Sequence, residues 1–115
     1  MGIMYYAEYF HIFERARSEY IRNCGMSYAL IEQRGIYLPV REASCRYRSP
    51  ARFDDLIYTN ICIGEWKRAS LRFSYRLYAE DRATLLAEAM TQHACVNKNS
   101  KPQPFPDWFV KMCSQ

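Results

Sequence analysis

His93 and Cys95 stand two positions apart, so on a strand they share a face, and an imidazole beside a thiol is the pairing that activates a cysteine nucleophile. No third group follows to orient the imidazole, and both would lie along one strand, so two core residues are the simpler reading. Lys67 and Arg68 place adjacent cations between two expected strands, a position that suits a phosphate and equally suits a solvated turn. A helix expected to start near Tyr6 supplies a third kind of chemistry. Its first backbone N–H groups lack partners within the helix and lie at the positive end of its dipole, where they can hold a developing negative charge, as those of any helix can.

The remaining composition narrows the classes. With 115 residues, half of them apolar and 24% charged, the chain reads as one domain, 1–115, built around a single core. The five cysteines, Cys24, Cys45, Cys62, Cys95 and Cys113, are odd in number and never spaced C-x-x-C, which argues for free thiols and against a disulfide framework or a zinc site. No apolar run is long enough to span a bilayer, and no basic segment leads into an apolar one at the start, so a cytoplasmic location is expected. The net charge is +4, with Arg41, Arg46, Arg48, Arg52, Lys67, Arg68, Arg72 and Arg76 gathered mid-chain. A nucleotide, a nucleic acid and plain solubility all accommodate that bias.

The elements that would position these groups follow from periodicity. From Ala7 to about Arg22, Tyr9, Phe10, Phe13, Ala16, Tyr20 and Ile21 recur at helical intervals opposite Glu8, His11, Arg15 and Ser18, and Gly25 stands where a left-handed cap is common. A short helical piece between Met26 and Gln33 is expected to end near Gly35. The period then changes to two: Glu42 to Arg48 alternates, Ser49-Pro50 interrupts, Phe53-Asp54-Asp55 reads as a turn, and Leu56 to Trp66 forms a second strand. Ala69 to Leu77 alternates most cleanly, and Glu80-Asp81-Arg82 closes it as a hairpin. Thr84 to Val96 has good helix propensity and irregular alternation, but the topology asks for a fourth strand there. Asp107 is expected to cap a short closing helix. One helix followed by four strands is an α+β arrangement, a helix laid across an antiparallel sheet.

The block Gly2-Ile3-Met4-Tyr5-Tyr6-Ala7-Glu8-Tyr9 through Phe13-Glu14-Arg15-Ala16-Arg17 resembles the glycine turn and central helix of the hot-dog-fold acyl-CoA thioesterases. These are the 4-hydroxybenzoyl-CoA and Tol-Pal-associated thioesterase group, whose pattern opens D-x-x-G and closes E/D-x-A-R. Arg52-Phe53-Asp54-Asp55, Glu65-Trp66-Lys67-Arg68-x-Ser70 and Thr91-x-His93 extend the resemblance along the chain. It implies a hot-dog fold, an acyl-CoA substrate, hydrolysis to a carboxylic acid and free coenzyme A, no cofactor and no metal, and a homodimer or homotetramer with sites at subunit contacts. It further implies that the backbone N–H at Tyr6 polarises the thioester carbonyl and that Trp66, Lys67, Arg68 and Ser70 approach the coenzyme A phosphates.

The same resemblance puts the pattern's catalytic aspartate two residues before Met1, leaving Gly2 as the surviving turn residue. The family's first strand is then expected to be absent from this sequence, with a catalytically impaired acyl-CoA-binding or scaffolding protein as the alternative to a hydrolase. Another hot-dog group uses a glutamate of the central helix, which draws attention to Glu8 and Glu14. Tyr47, Phe10 and Phe13 would line the acyl chamber or belong to the core. An RNA-binding sheet bearing Arg46, Arg48, Arg72 and Arg76 has no accompanying RNP-like motif, and no nucleic-acid partner is expected.

Overall fold

The computed structural model describes residues 6–52 and 55–114, with the backbone alone at Tyr6. Gly2, Phe53 and Asp54, which carry parts of the expected turns, lie outside the described residues. Helix α1 runs Tyr6–Cys24 and α2 runs Tyr28–Gln33; strands β1 Val40–Tyr47, β2 Tyr58–Trp66, β3 Ser70–Tyr78 and β4 Leu85–Ala94 follow, and α3 Asp107–Cys113 closes the chain. The strands form one antiparallel sheet in the order β1-β4-β3-β2. The expected α+β arrangement of a long helix against an antiparallel sheet is what forms.

The apolar stripe of α1 explains its place. Tyr9, Phe13 and Ile21 are buried, and Phe13 lies 4.7 Å from the Tyr75 ring while Tyr20 meets the Phe73 ring edge-on at 5.7 Å. Leu71, Phe73, Tyr75 and Leu77 point into this core from β3, as their strict alternation predicts. Gly25 ends the helix with φ 146°, its N–H reaching the Ile21 and Arg22 carbonyls, and a side chain there would press on Met112 of α3 at 3.3 Å. Ser27 caps α2 by accepting from the Leu30 N–H at 3.3 Å.

Strand β4 is inserted between β1 and β3, so its helix propensity is overridden by two ladders of backbone hydrogen bonds. Its irregular alternation has a local cause. Leu77 pairs with Ala87 but Tyr78 pairs with Leu85, which leaves Leu86 as the extra residue of a bulge and turns both Leu86 and Ala87 inward. Asp81 shapes the hairpin that precedes it by accepting from the Ala83 and Thr84 N–H groups at 2.8 Å each. At α3 the sequence expectation is corrected: Pro106 occupies the cap position without a side-chain bond, and Asp107 is the first helical residue. Proline has no N–H to lose at a helix start, and Asp107 in the first turn complements the dipole instead.

Two polar side chains, Thr91 and His93, are buried within this core. His93 Nδ1 lies 2.9 Å from the Leu38 carbonyl and Nε2 lies 2.8 Å from Thr91 Oγ1. Burial holds the imidazole below its ordinary 6.5, against the opposing pull of the Leu38 carbonyl. The unfolded chain therefore takes up the proton first as pH falls through about 6.5, and stability is lost from there down to the folded value. Asp81 and Glu88, whose carboxyls are held low by hydrogen bonds from Thr84 and Arg48, act only at more acid pH. We expect the melting temperature to fall as pH drops from about 7 through the ordinary imidazole value of 6.5, with a shallower slope in His93→Gln. Equal slopes in the two proteins would show that His93 is not the responsible group.

Candidate functional site

The start of α1 at Tyr6 supplies the N–H donors, and what surrounds it is aromatic. Tyr9 is buried and meets the Tyr47 ring edge-on at 4.9 Å, so the end of β1 is held against the first turns of the helix. Phe10 and Tyr47 stay 38% and 40% exposed, while Phe13 is wholly enclosed. Of the three aromatics considered for an acyl chamber, Phe13 is core and the other two offer apolar surface beside the helix start. Glu8 is half-buried in the first turn, and Glu14 is exposed on the flank of α1 that faces Leu38 and His93.

Lys67 and Arg68 occupy the tight connection from β2 to β3, closed by the Lys67 N–H donating to the Ser70 carbonyl at 2.8 Å. Both side chains are exposed, and Lys67 Nζ lies 3.3 Å from Glu65 Oε1. Trp66 turns the other way, edge-on to Phe105 at 5.6 Å and to Phe109 at 6.0 Å, and the Phe105 N–H donates to the Arg68 carbonyl at 2.9 Å. The turn is thus fastened to the segment around α3. Ser70 opens β3 opposite Ala94.

Within one chain the two halves of the expected site are not brought together. Tyr47 pairs with Ala87 at one end of the sheet, whereas Trp66 pairs with Leu71, and Leu71 with His93, at the other. The six residue steps along β4 from Ala87 to His93 span about 20 Å at about 3.3 Å each. The helix start and the cationic turn are separated by roughly that length.

The thiol chemistry finds no support. Both His93 nitrogens are engaged by other groups, Cys95 is enclosed, and burial pushes its thiol up to about 11. Among the described residues no cluster of His, Cys, Asp and Glu could hold a metal, and no helix is long and apolar enough to cross a membrane. The mid-chain cations are partly neutralised on the sheet face away from α1. Arg48 Nη2 lies 2.6 Å from Glu88, Arg72 Nε donates to Gln92 at 2.9 Å, and Arg72 Nη2 lies 3.6 Å from Glu65. Sequence reasoning did not anticipate a hydrogen bond from Arg17 Nη1 to the Tyr75 hydroxyl at 3.1 Å, although Arg17 stands in the motif that carries the resemblance.

Comparison with known proteins identifies the family and the fold. Residues 1–112 match the family model of the thioesterase-like superfamily. The acyl-CoA thioesterase YbgC of Haemophilus influenzae is 34% identical over 107 residues, which cover 91% of this chain and 77% of that protein. A hypothetical protein of Thermus thermophilus, TT1821, superposes with a TM-score of 0.90 at 30% identity, covering 99% of this chain and 86% of its own. The DHNA-CoA thioesterase of Staphylococcus aureus superposes with a TM-score of 0.88 at 28% identity, covering 99% and 78%.

Proposed function

The chain belongs to the thioesterase-like superfamily and has its hot-dog fold, and from that premise we propose that it hydrolyses acyl-CoA thioesters to a carboxylic acid and free coenzyme A. The observation that carries the reading is the helix start at Tyr6 beside the exposed Phe10 and Tyr47 rings. The thioester carbonyl oxygen sits against the first N–H groups of α1, and the acyl group lies on the aromatic surface. Attack on the carbonyl carbon moves the π electrons onto that oxygen, where N–H donors and the helix dipole stabilise the charge. Collapse of the tetrahedral intermediate expels the coenzyme A thiolate, which takes a proton, and water supplies the new carboxyl oxygen.

A carboxylate is needed to activate that water or to attack. The family pattern places it as an aspartate three positions before Gly2; Glu8 in the first turn of α1 is the nearest carboxylate among the described residues that could replace it. We assign the coenzyme A phosphates to Lys67 and Arg68, with Trp66 and Ser70 shaping the turn that presents them.

A second copy reconciles this assignment with the separation of the two halves. β1 is an edge strand of the described sheet, exposed along nearly its whole length, and Val40 on it is 46% exposed. Antiparallel pairing of β1 with its copy about a two-fold axis sets opposite ends of the two sheets side by side. The second copy's cationic turn then lies about three strand spacings, roughly 15 Å, from the helix start, within reach of an extended pantetheine arm. A homodimer is the smallest assembly that completes the site. Free thiols at all five cysteines fit a reducing compartment, so we place the enzyme in the cytoplasm.

A thiol-release assay with a panel of acyl-CoAs tests the reaction. Hydrolysis is expected from the chain carrying an upstream Asp-x-x before Gly2, and weak or no hydrolysis from residues 1–115; equal rates would shift the catalytic role to Glu8 or Glu14. In Lys67→Ala/Arg68→Ala we expect KM to rise about tenfold with kcat nearly unchanged and the difference to shrink at high salt. An unchanged KM would remove the turn from the binding site. Sedimentation should report a dimer, and Val40→Lys should weaken it; a wild-type monomer with full activity would refute the shared site.

A further inference from the structure

Arg17 and the Thr91-x-His93 pair are pieces of the family resemblance that the thioester chemistry leaves without a task. They lie in different elements, α1 and β4, and the core joins them. Arg17 Nη1 donates to Tyr75 Oη at 3.1 Å, Tyr75 Oη lies 2.6 Å from Thr91 Oγ1, Thr91 Oγ1 lies 2.8 Å from His93 Nε2, and His93 Nδ1 lies 2.9 Å from the Leu38 carbonyl. With His93 neutral, as its burial favours, the two ends set the direction of every bond between them. A carbonyl only accepts, so Nδ1 carries the imidazole proton and Nε2 accepts from the Thr91 hydroxyl. A guanidinium only donates, so Tyr75 accepts from Arg17 and passes its own proton toward Thr91. One arrangement then satisfies all of them and gives every hydroxyl proton an acceptor within the chain.

The surroundings make this chain more than filler. The stripe of Tyr9, Phe13 and Ile21 holds α1 against the sheet, but apolar contact is non-directional and tolerates small slides and rotations. Beside Arg17 the packing is open: a cavity of about 250 Å³ is lined by Glu14, Arg17, Ser18, Tyr28, Leu38 and His93. The Tyr28 hydroxyl is buried there without a hydrogen bond of good geometry. Packing alone therefore leaves the guanidinium room to move, and the bond to Tyr75 selects one position. A slip of α1 by one residue, about 1.5 Å with a turn of about 100°, carries Arg17 off the Tyr75 hydroxyl and leaves buried donors unpaired.

We propose that Arg17, Tyr75 and Thr91 are positioning residues: the directed chain from Arg17 to the Leu38 carbonyl sets the rotation and axial placement of α1, and through the helix the placement of the N–H groups at Tyr6 against the thioester oxygen. The catalytic half of this inference rests on the oxyanion role proposed above; the structural half rests on the hydrogen bonds. Tyr6 is about 16 Å along the helix from Arg17. A tilt of about 5° at Arg17 displaces the Tyr6 amide by roughly 1.4 Å, enough to cost one to two orders of magnitude in rate.

The test compares Tyr75→Phe and Thr91→Val, which delete a hydroxyl with little change of shape, and Arg17→Met with Arg17→Lys, against Ile31→Val as a core substitution away from the chain. Two readouts are taken on the hydrolytically active form: kcat and KM with acyl-CoA, and residual dipolar couplings of the α1 amides relative to those of β3 and β4. We expect kcat to fall about tenfold in Tyr75→Phe, Thr91→Val and Arg17→Met with KM unchanged, partial recovery in Arg17→Lys, shifted α1 couplings, and neither effect in Ile31→Val. Wild-type couplings in folded Tyr75→Phe and Thr91→Val would overturn the proposal. Shifted couplings with wild-type kcat would overturn its catalytic half. Shifted couplings in a protein that hydrolyses no acyl-CoA would uphold the structural half and reject the functional reading instead.

Discussion

The contact of Phe13 with Tyr75, 4.7 Å between ring centroids, fastens the one long helix to the centre of the sheet, and the rest of the molecule is arranged around it. Burying such rings stabilises by about 1.5–3 kcal/mol each, with about 0.5–1.5 kcal/mol more from their mutual geometry. It also forces the Tyr75 hydroxyl, at the tip of a buried ring, to find partners inside the core. Thr91 and Arg17 provide them, so the apolar anchor of the helix and its polar alignment share one side chain. An anchor of pure hydrocarbon would hold the helix as firmly and specify its position less.

Much of this was legible in the sequence because the periodicities are strong where one face is core and the other is water. The stripe through Tyr9, Phe13 and Ile21 and the alternation from Leu71 to Leu77 each point to one structure, and the structure has them. The segment from Thr84 to Val96 was legible only through topology. Its alternation is broken by the bulge at Leu86, where two successive residues turn inward, and such a feature is set by the register of two neighbouring strands that no local pattern reports. The Asp107 cap was misassigned by one residue because proline and aspartate both favour helix starts.

The candidate site was legible in its parts and not in its layout. Tyr6, Lys67 and Arg68 could be picked out by type and resemblance, yet nothing in a linear sequence says that the helix start and the cationic turn fall at opposite ends of one sheet. That follows from strand order and register. The buried chain through Arg17 was illegible for a related reason: its members are up to 76 positions apart, Arg17 to His93, and each alone reads as an ordinary surface arginine, core aromatic or strand threonine. Only the fold makes them neighbours.

The opposite-end layout has a consequence for how such a protein can change. The surface that would receive the acyl group is built from α1 and the end of β1, while the turn assigned to the nucleotide is fastened to Phe105 and Phe109 beside α3. These regions are far enough apart that substitutions in one are nearly additive with substitutions in the other. On the proposed assignment, exchanging Phe10 and Tyr47 for larger or smaller side chains would retune which acyl groups fit without disturbing the turn assigned to coenzyme A. Under that assignment one scaffold diversifies across many thioesters while the end proposed for the nucleotide is left undisturbed by physical separation alone.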